Sequence, residues 1–333
     1  MTDHTPDRTR RRLLAASALT ATVSALPTVL RAAESWPARP VHIIVPFSAG
    51  GATDILGRLI GKAMEPALGQ PMVVDNRPGA AGAIGASMVV KSPPDGYSVL
   101  FGGVGTNIVL SMTQPSLDYN PDRDLVAVGQ ICNVDYVLAV AADSQYKSLA
   151  DLLKRAKANP RAVSYMSTGP LGPLHVALEY LSLRAGVQMV HVPYKGEAPA
   201  FPDLISGRLD VAVMTIPFTS PHIKEGRLRA LATISGERSA AMPDVPTVAE
   251  LGFPGYAAPI WNGLFVPTGT PEPVVGRLSA AMLGAVQQSA TRDQIVSLGF
   301  TPTGLTPAES VKFLKSEHQR WARMIGETGV LKN

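Results

Sequence analysis

Apolar residues along this chain follow two alternating periods. "VHIIVPF", "MVVDN", "YSVLFGG", "AVSYMSTG", "QMVHVPY" and "LDVAVMT" are short runs rich in β-branched and aromatic residues, and they read as strands. Helical patterns lie between them. In "TDILGRLIGKAMEPALG" the residues Ile55, Leu56, Leu59, Ile60 and Ala63 predict one apolar helix face. "PGAAGAIGASMVVKS", "SLADLLKRAKANP", "LHVALEYLSLRAG" and "PAFPDLISG" carry further helices, and "PEPVVGRLSAAMLGAVQQ" and "TPAESVKFLKSEHQRWARMIGETG" close the chain with two more. The last opens with Thr306 and Glu309 at capping-box spacing. Strand-helix alternation of this kind predicts an α/β protein whose mostly parallel sheets are covered on both faces.

The apolar run from Leu125 to Ala142 is too long for an ordinary single strand, and predicts a crossing between two lobes. "YAAPIWNGLFVP" reads as the return strand. The expected organisation is a discontinuous first lobe, residues 36–135 plus 258–333, with residues 136–257 as the second lobe. Lobes joined by crossing strands leave a cleft, a favoured place for a small ligand.

Composition narrows the class. Of 333 residues, 46% are hydrophobic and 17% charged, which fits a folded globular chain with ample core. Residues 1–33 read as a signal peptide with a basic front, an apolar middle and small residues at Ala32 and Ala33. Arg10, Arg11 and Arg12 before Leu13 resemble a twin-arginine signal, and a general secretory signal fits the same residues. Without this segment 25 of the 30 basic residues and 24 of the 26 acidic ones remain. The basic charge therefore belongs largely to the signal and gives no support to nucleic-acid binding. Cys132, the only cysteine, lies in an apolar run and reads as a buried small hydrophobe.

Four turns have the composition of an anion holder. "PFSAGGATD" leads from a strand into a helix whose first N–H groups lack acceptors and carry partial positive charge, so a carboxylate or phosphate fits there. An ordinary strand-to-helix turn has the same composition. Asp54 there either complements the dipole or holds a water or amino group on a ligand. "NRPGAAGAIGAS" has Gly79, Gly82 and Gly85 at a spacing that is not a dinucleotide loop, and close packing of its helix accounts for it better. "STGPLGPLH" offers Ser167 and Thr168 hydroxyls, an opened backbone at Gly169 and Gly172, and His175, whose role is structural or catalytic. In "GGVGTN", Thr106 is a further donor. The sequence carries no G-x-S-x-G elbow, no Walker loop and no His or Cys spacing for a metal, so no catalytic residue, metal site or cofactor is expected.

"WPARPVHIIVPFSAGGATD", "DNRPGAAGAIGA", "SPPDGYSVLFG", "HVPYKGEAPAFPDLISGRLDVAV", "GRLRALATISGERSAAMPDVPTVAELGFPGY" and "FVPTGTPEPVV" resemble, in order, the signatures of the Bug-type receptors of tripartite tricarboxylate transporters. The resemblance implies a two-lobed periplasmic binding-protein fold (type II-like), a cleft for a small carboxylated solute, and no catalysis. It implies a ligand loop at Phe47, Ser48, Ala49, Gly50, Gly51 and Asp54, and a second at Ser167, Thr168, Gly169 and His175. Many relatives carry a Gly-Thr pair where this chain has Leu171 and Gly172, and "TIPFTSP" follows "LDVAVM" in place of an aromatic-acidic stretch. Both changes make that side of the pocket less polar. The expectation is a periplasmic monomer, cleaved near residue 33, that hands its solute to tripartite transporter subunits or a sensor kinase. The rival expectation is a secreted, hydrolase-like α/β enzyme acting on a carboxylate substrate.

Overall fold

A computed structural model describes residues 1–2 and 36–331, so the expected signal segment lies outside the described residues apart from Met1 and Thr2. The chain divides into Met1–Trp36 and Pro37–Asn333, and every described strand and helix belongs to the second unit. Among the described residues no helix is long and apolar enough to cross a membrane.

Strands β1 (Val41–Val45), β2 (Met72–Asn76), β3 (Ser98–Gly103), β4 (Leu125–Val134), β10 (Ile260–Pro267) and β11 (Phe300–Pro302) form a six-stranded sheet in the order β11-β4-β10-β3-β1-β2. Strands β5 (Tyr136–Ala141), β6 (Ser164–Ser167), β7 (Val190–Pro193), β8 (Val211–Thr215) and β9 (Leu228–Thr233) form a five-stranded sheet in the order β7-β6-β8-β5-β9. β2, β1 and β3 are parallel, as are β7, β6 and β8; β10 and β5 run against their neighbours.

The long apolar run divides at Asp135, one half in each sheet. Because β4 runs parallel to β1 and β3 through β10, Asp135 marks the carboxyl edge of the first sheet. Tyr136 pairs with Thr215, so the carboxyl ends of β6, β7 and β8 face the same junction. The buried Asp135 carboxylate accepts hydrogen bonds from Ser239 Oγ at 2.6 Å and Thr301 Oγ1 at 3.0 Å, tying the crossing point to segments from both sides of it.

Helix α1 (Ala52–Leu68) covers β1 with a face that differs in part from the one its leucines and isoleucines predict. Leu56, Ile60, Met64 and Leu68 are buried, whereas Ile55 is exposed. Glycines set the difference: a Cβ on Gly61 would lie 2.9 Å from Ile43 Cδ1, and one on Gly57 3.1 Å from Val45 Cγ2. The helix approaches the strand through its small residues. The same holds for α2 (Ala83–Val90), where a Cβ on Gly85 would lie 2.9 Å from both Arg77 O and Pro46 Cα.

In the second sheet's layer, α3 (Leu149–Ala158), α4 (Pro173–Ala185), α5 (Glu197–Ile205) and α6 (Ile216–Lys224) succeed one another in chain order; α7 (Glu272–Gln287) and α8 (Ser289–Ser297) return to the first. The closing helix α9 (Pro307–Thr328) has the expected capping box. It packs on β4 and also on α4, so it spans both layers. Its Glu317 is fully buried and accepts from Trp261 Nε1 at 3.2 Å and Trp321 Nε1 at 3.3 Å. Cys132 is buried as expected, and burial pushes its thiol well above the usual range.

Candidate functional site

The first loop, Phe47 to Gly51, is exposed at the carboxyl end of β1. Gly50 stands at φ 81°, a left-handed conformation that only glycine adopts without penalty. Gly51 is extended, at φ −77° and ψ 166°, and a Cβ there would meet only Ser48 O, at 3.5 Å. The conformational need thus falls on Gly50, not on Gly51. No side chain caps α1 at Gly51. The N–H groups of its first turn have no acceptor within the helix and face outward with the positive end of the dipole.

Asp54 turns its carboxylate to the loop and to its own helix. It is 3% exposed, and its Oδ2 accepts from the Gly50 N–H at 2.9 Å while its Oδ1 accepts from Asn76 Nδ2 at 3.0 Å. Arg58 pairs with it at 2.9 Å. Asn76, at the end of β2, also donates to Phe47 O at 3.1 Å. Burial disfavours the Asp54 charge, but hydrogen bonds from Arg58, Gly50 and Asn76 outweigh it and hold the carboxyl below its usual value. Asp54 therefore fixes the loop and takes the Gly50 N–H for itself.

Thr106 lies in a π-helical turn, Gly105–Val109, after β3. Its buried hydroxyl accepts from the Gly103 N–H at 3.2 Å and donates to Asn107 Oδ1 at 2.8 Å, and its carbonyl accepts from Tyr119 OH at 2.8 Å. It builds the turn. A Cβ on the neighbouring Gly105 would lie 3.9 Å from Pro173 Cγ, so this turn approaches the start of α4 across the junction.

In the second loop, Thr168 presents an exposed hydroxyl while Ser167 is fully buried. Ser167 Oγ accepts from the Gly169 N–H at 3.2 Å and lies 2.7 Å from His191 Nε2. Gly169, at φ 143°, opens the turn. Leu171 takes a left-handed φ of 57°, the kind of position glycine fills at no cost. Its N–H donates to His175 Nδ1 at 3.0 Å, which leaves the imidazole proton on Nε2. His175 stacks on His191, ring centroids 3.9 Å apart. Burial lowers the His175 pKa, and burial followed by the neighbouring His175 lowers His191 to about 4. α4 begins at Gly172 with no side-chain cap and Pro173 in its first turn.

The Ser167–His191 pair does not make a hydrolase. The hydroxyl has no exposed surface from which to reach a carbonyl, and within the described residues no carboxylate bonds to His191. The described residues also contain no group of three or more His, Cys, Asp or Glu that would hold a metal.

Sequence reasoning missed several residues at this junction. Asn76 orders the first loop, and His191 backs the second from the next strand. Glu197 lies in the first turn of α5 and accepts from the Thr215 N–H at 2.6 Å and the Thr215 hydroxyl at 3.0 Å. Burial pushes its carboxyl up, against the pull of the two Thr215 bonds. Burial, and then the Glu197 charge, push the Tyr136 phenol up in turn, so that this hydroxyl keeps its proton.

Two α/β lobes joined by crossing strands, with uncapped helix amino ends at the carboxyl edges of both sheets, fit the class of solute-binding receptors of the periplasmic binding-protein fold. The profile of the "Tripartite tricarboxylate transporter family receptor" matches residues 56–330. BugT of Bordetella pertussis is 36% identical over 298 residues, 89% of this chain and 91% of the relative. A Rhodopseudomonas palustris protein solved with adipate superposes with a TM-score of 0.81 at 32% identity, covering 88% of this chain and 98% of its own. MatC of the same organism, solved with malate, gives 0.78 at 31% identity, covering 87% and 100%. The chain belongs to the tripartite tricarboxylate transporter receptor family.

Proposed function

We propose that this receptor captures a small carboxylated solute between its lobes and releases it unchanged to the membrane subunits of a tripartite transporter or to a sensor. The observation that carries the reading is the uncapped start of α1. Gly51 and the first helical turn present N–H groups without acceptors, on an exposed loop that Asp54, Asn76 and Arg58 hold in place. A carboxylate satisfies such donors and the dipole behind them. Thr168 and the start of α4 meet the solute from the second lobe. Adipate and malate in the related structures are ligands of the same chemistry.

The reading includes lobes of residues 36–135 plus 258–333 and of 136–257, a hinge at Asp135, and a monomer exported to the periplasm by cleavage near residue 33. α9 adds a third tie, since it packs on both layers. Closure about the crossing strands follows the hinge mode of such receptors. A thermal-shift screen of carboxylates tests the reading. A true ligand at a hundred times its Kd raises folded-state stability by about 2.7 kcal/mol. A screen in which no carboxylate stabilises the protein, or in which the bound solute is recovered chemically altered, overturns it.

A further inference from the structure

The turn after β7 brings a carboxylate to the second-lobe side of the junction. Glu197 reaches from the start of α5 to the carboxyl end of β8, where both its oxygens engage Thr215. Thr215 pairs with Tyr136, the first residue after the crossing point, so Glu197 sits at the edge that faces the first lobe. Part of its surface stays open. Among the described residues no lysine, arginine or histidine forms an ion pair with it; the charged partners of the fold lie elsewhere. Each oxygen keeps a lone pair beyond its Thr215 bond.

We infer that Glu197 selects the distal end of the solute, favouring a hydrogen-bond donor, an ammonium or hydroxyl group, over a second carboxylate. The inference rests on the carboxylate site proposed at α1. With one end of the solute fixed on the first lobe's N–H groups, its other end extends toward Thr168 and Glu197. A donor there meets an acceptor that is already ordered and lacks a counter-ion, and an ammonium supplies the missing charge. A second carboxylate meets like charge in a half-buried place, where one of the two groups must take up a proton before both fit. Specificity then comes from a repulsive element as well as an attractive one. The apolar Leu171 beside the same side of the junction adds nothing that would hold a second anion.

The test compares straight-chain diacids, ω-hydroxy acids and ω-amino acids of matched length, from malonate to suberate length, by thermal shift and calorimetry. In the wild-type protein the hydroxy or amino acid should outbind the diacid of its own length by about ten-fold or more, the scale of one charge-assisted hydrogen bond. Glu197→Gln keeps the Thr215 geometry, because the amide oxygen accepts the N–H and the amide nitrogen faces the hydroxyl, but it removes the charge. It should shrink that ratio to near unity or invert it, with folding checked by circular dichroism. A wild-type preference for diacids at every length overturns the inference and leaves the carboxylate receptor intact. So does an unchanged ratio in the folded Glu197→Gln variant. Failure of every probe to bind overturns both. The wild-type ranking stands as a test whether or not the variant folds.

Discussion

The backbone N–H of Leu171 donates to Nδ1 of His175 at 3.0 Å, and it does so from a left-handed backbone that a leucine adopts only at a cost. The imidazole thus serves as the acceptor that pins a strained turn beside the proposed solute site. His175→Ala removes the acceptor and should destabilise the fold by about 1–3 kcal/mol, the cost of an unsatisfied donor. His175→Asn places an amide oxygen near the Nδ1 position and should recover part of that loss. Urea unfolding of the two variants checks the order. Equal loss in both would mean that packing, not the hydrogen bond, is what His175 supplies.

The stacked imidazoles make stability depend on pH. Burial lowers the pKa of His175, and lowers that of His191 from its ordinary 6.5 to about 4. The unfolded chain therefore binds protons that the folded chain refuses. Their contribution is fully present above 6.5 and is lost as the pH falls from there toward about 4. The urea midpoint of the wild type should fall across this window. His191→Gln should flatten the fall, and an identical pH profile in that variant would show that the imidazoles are not its source.

Gly50 and Gly51 should separate stability from binding. Gly50→Ala forces a Cβ into a left-handed conformation and should cost about 1–2 kcal/mol of stability. Gly51→Ala meets no backbone conflict and should unfold at nearly the wild-type midpoint. Gly51→Val adds bulk beside the N–H donors and should weaken every carboxylate, by about 1.5–3 kcal/mol for a lost charge-assisted bond. Calorimetry on folded protein reads this. Unchanged affinity in Gly51→Val would move the anion away from α1.

The chain's periodicities made much of the architecture legible. Short β-branched runs, the over-long stretch from Leu125 and the capping box at Thr306 are local signals, and each corresponds to an observed element. The buried face of α1 departs in part from its apolar periodicity because its close contact uses Gly57 and Gly61, which hydrophobic periodicity does not register. The site was legible as loops but not as contacts. Arg58 stands at i,i+4 spacing from Asp54 and its pairing was legible, but Asp54 gave no sign that Asn76 would also claim its carboxylate, since Asn76 arrives from another strand. His175 and His191 stack only because α4 and β7 fold back on β6, and Glu197 meets Thr215 only through the order of the second sheet. Such meetings are set by topology, and a single sequence carries no spacing that encodes them.

Asp54→Asn should loosen the first loop without removing any ligand contact. It removes the ion pair with Arg58, which keeps its bond to Asn76 Oδ1, and weakens the hold on the Gly50 N–H. Carboxylate affinity should fall while the distal-end preference stays as it was. A change in that preference would place Asp54 in direct contact with the solute.

The proposed solute site stands or falls on whether backbone donors at the start of α1 hold a carboxylate. The backbone amide resonances of Gly51, Ala52 and Thr53 report on this as a stabilising carboxylate is titrated into isotope-labelled protein. These amides should show saturable shifts with the same midpoint as calorimetric binding, and should lose them in Gly51→Val. A ligand that binds at that midpoint and leaves the three amides unmoved would place the anion elsewhere and refute the assignment.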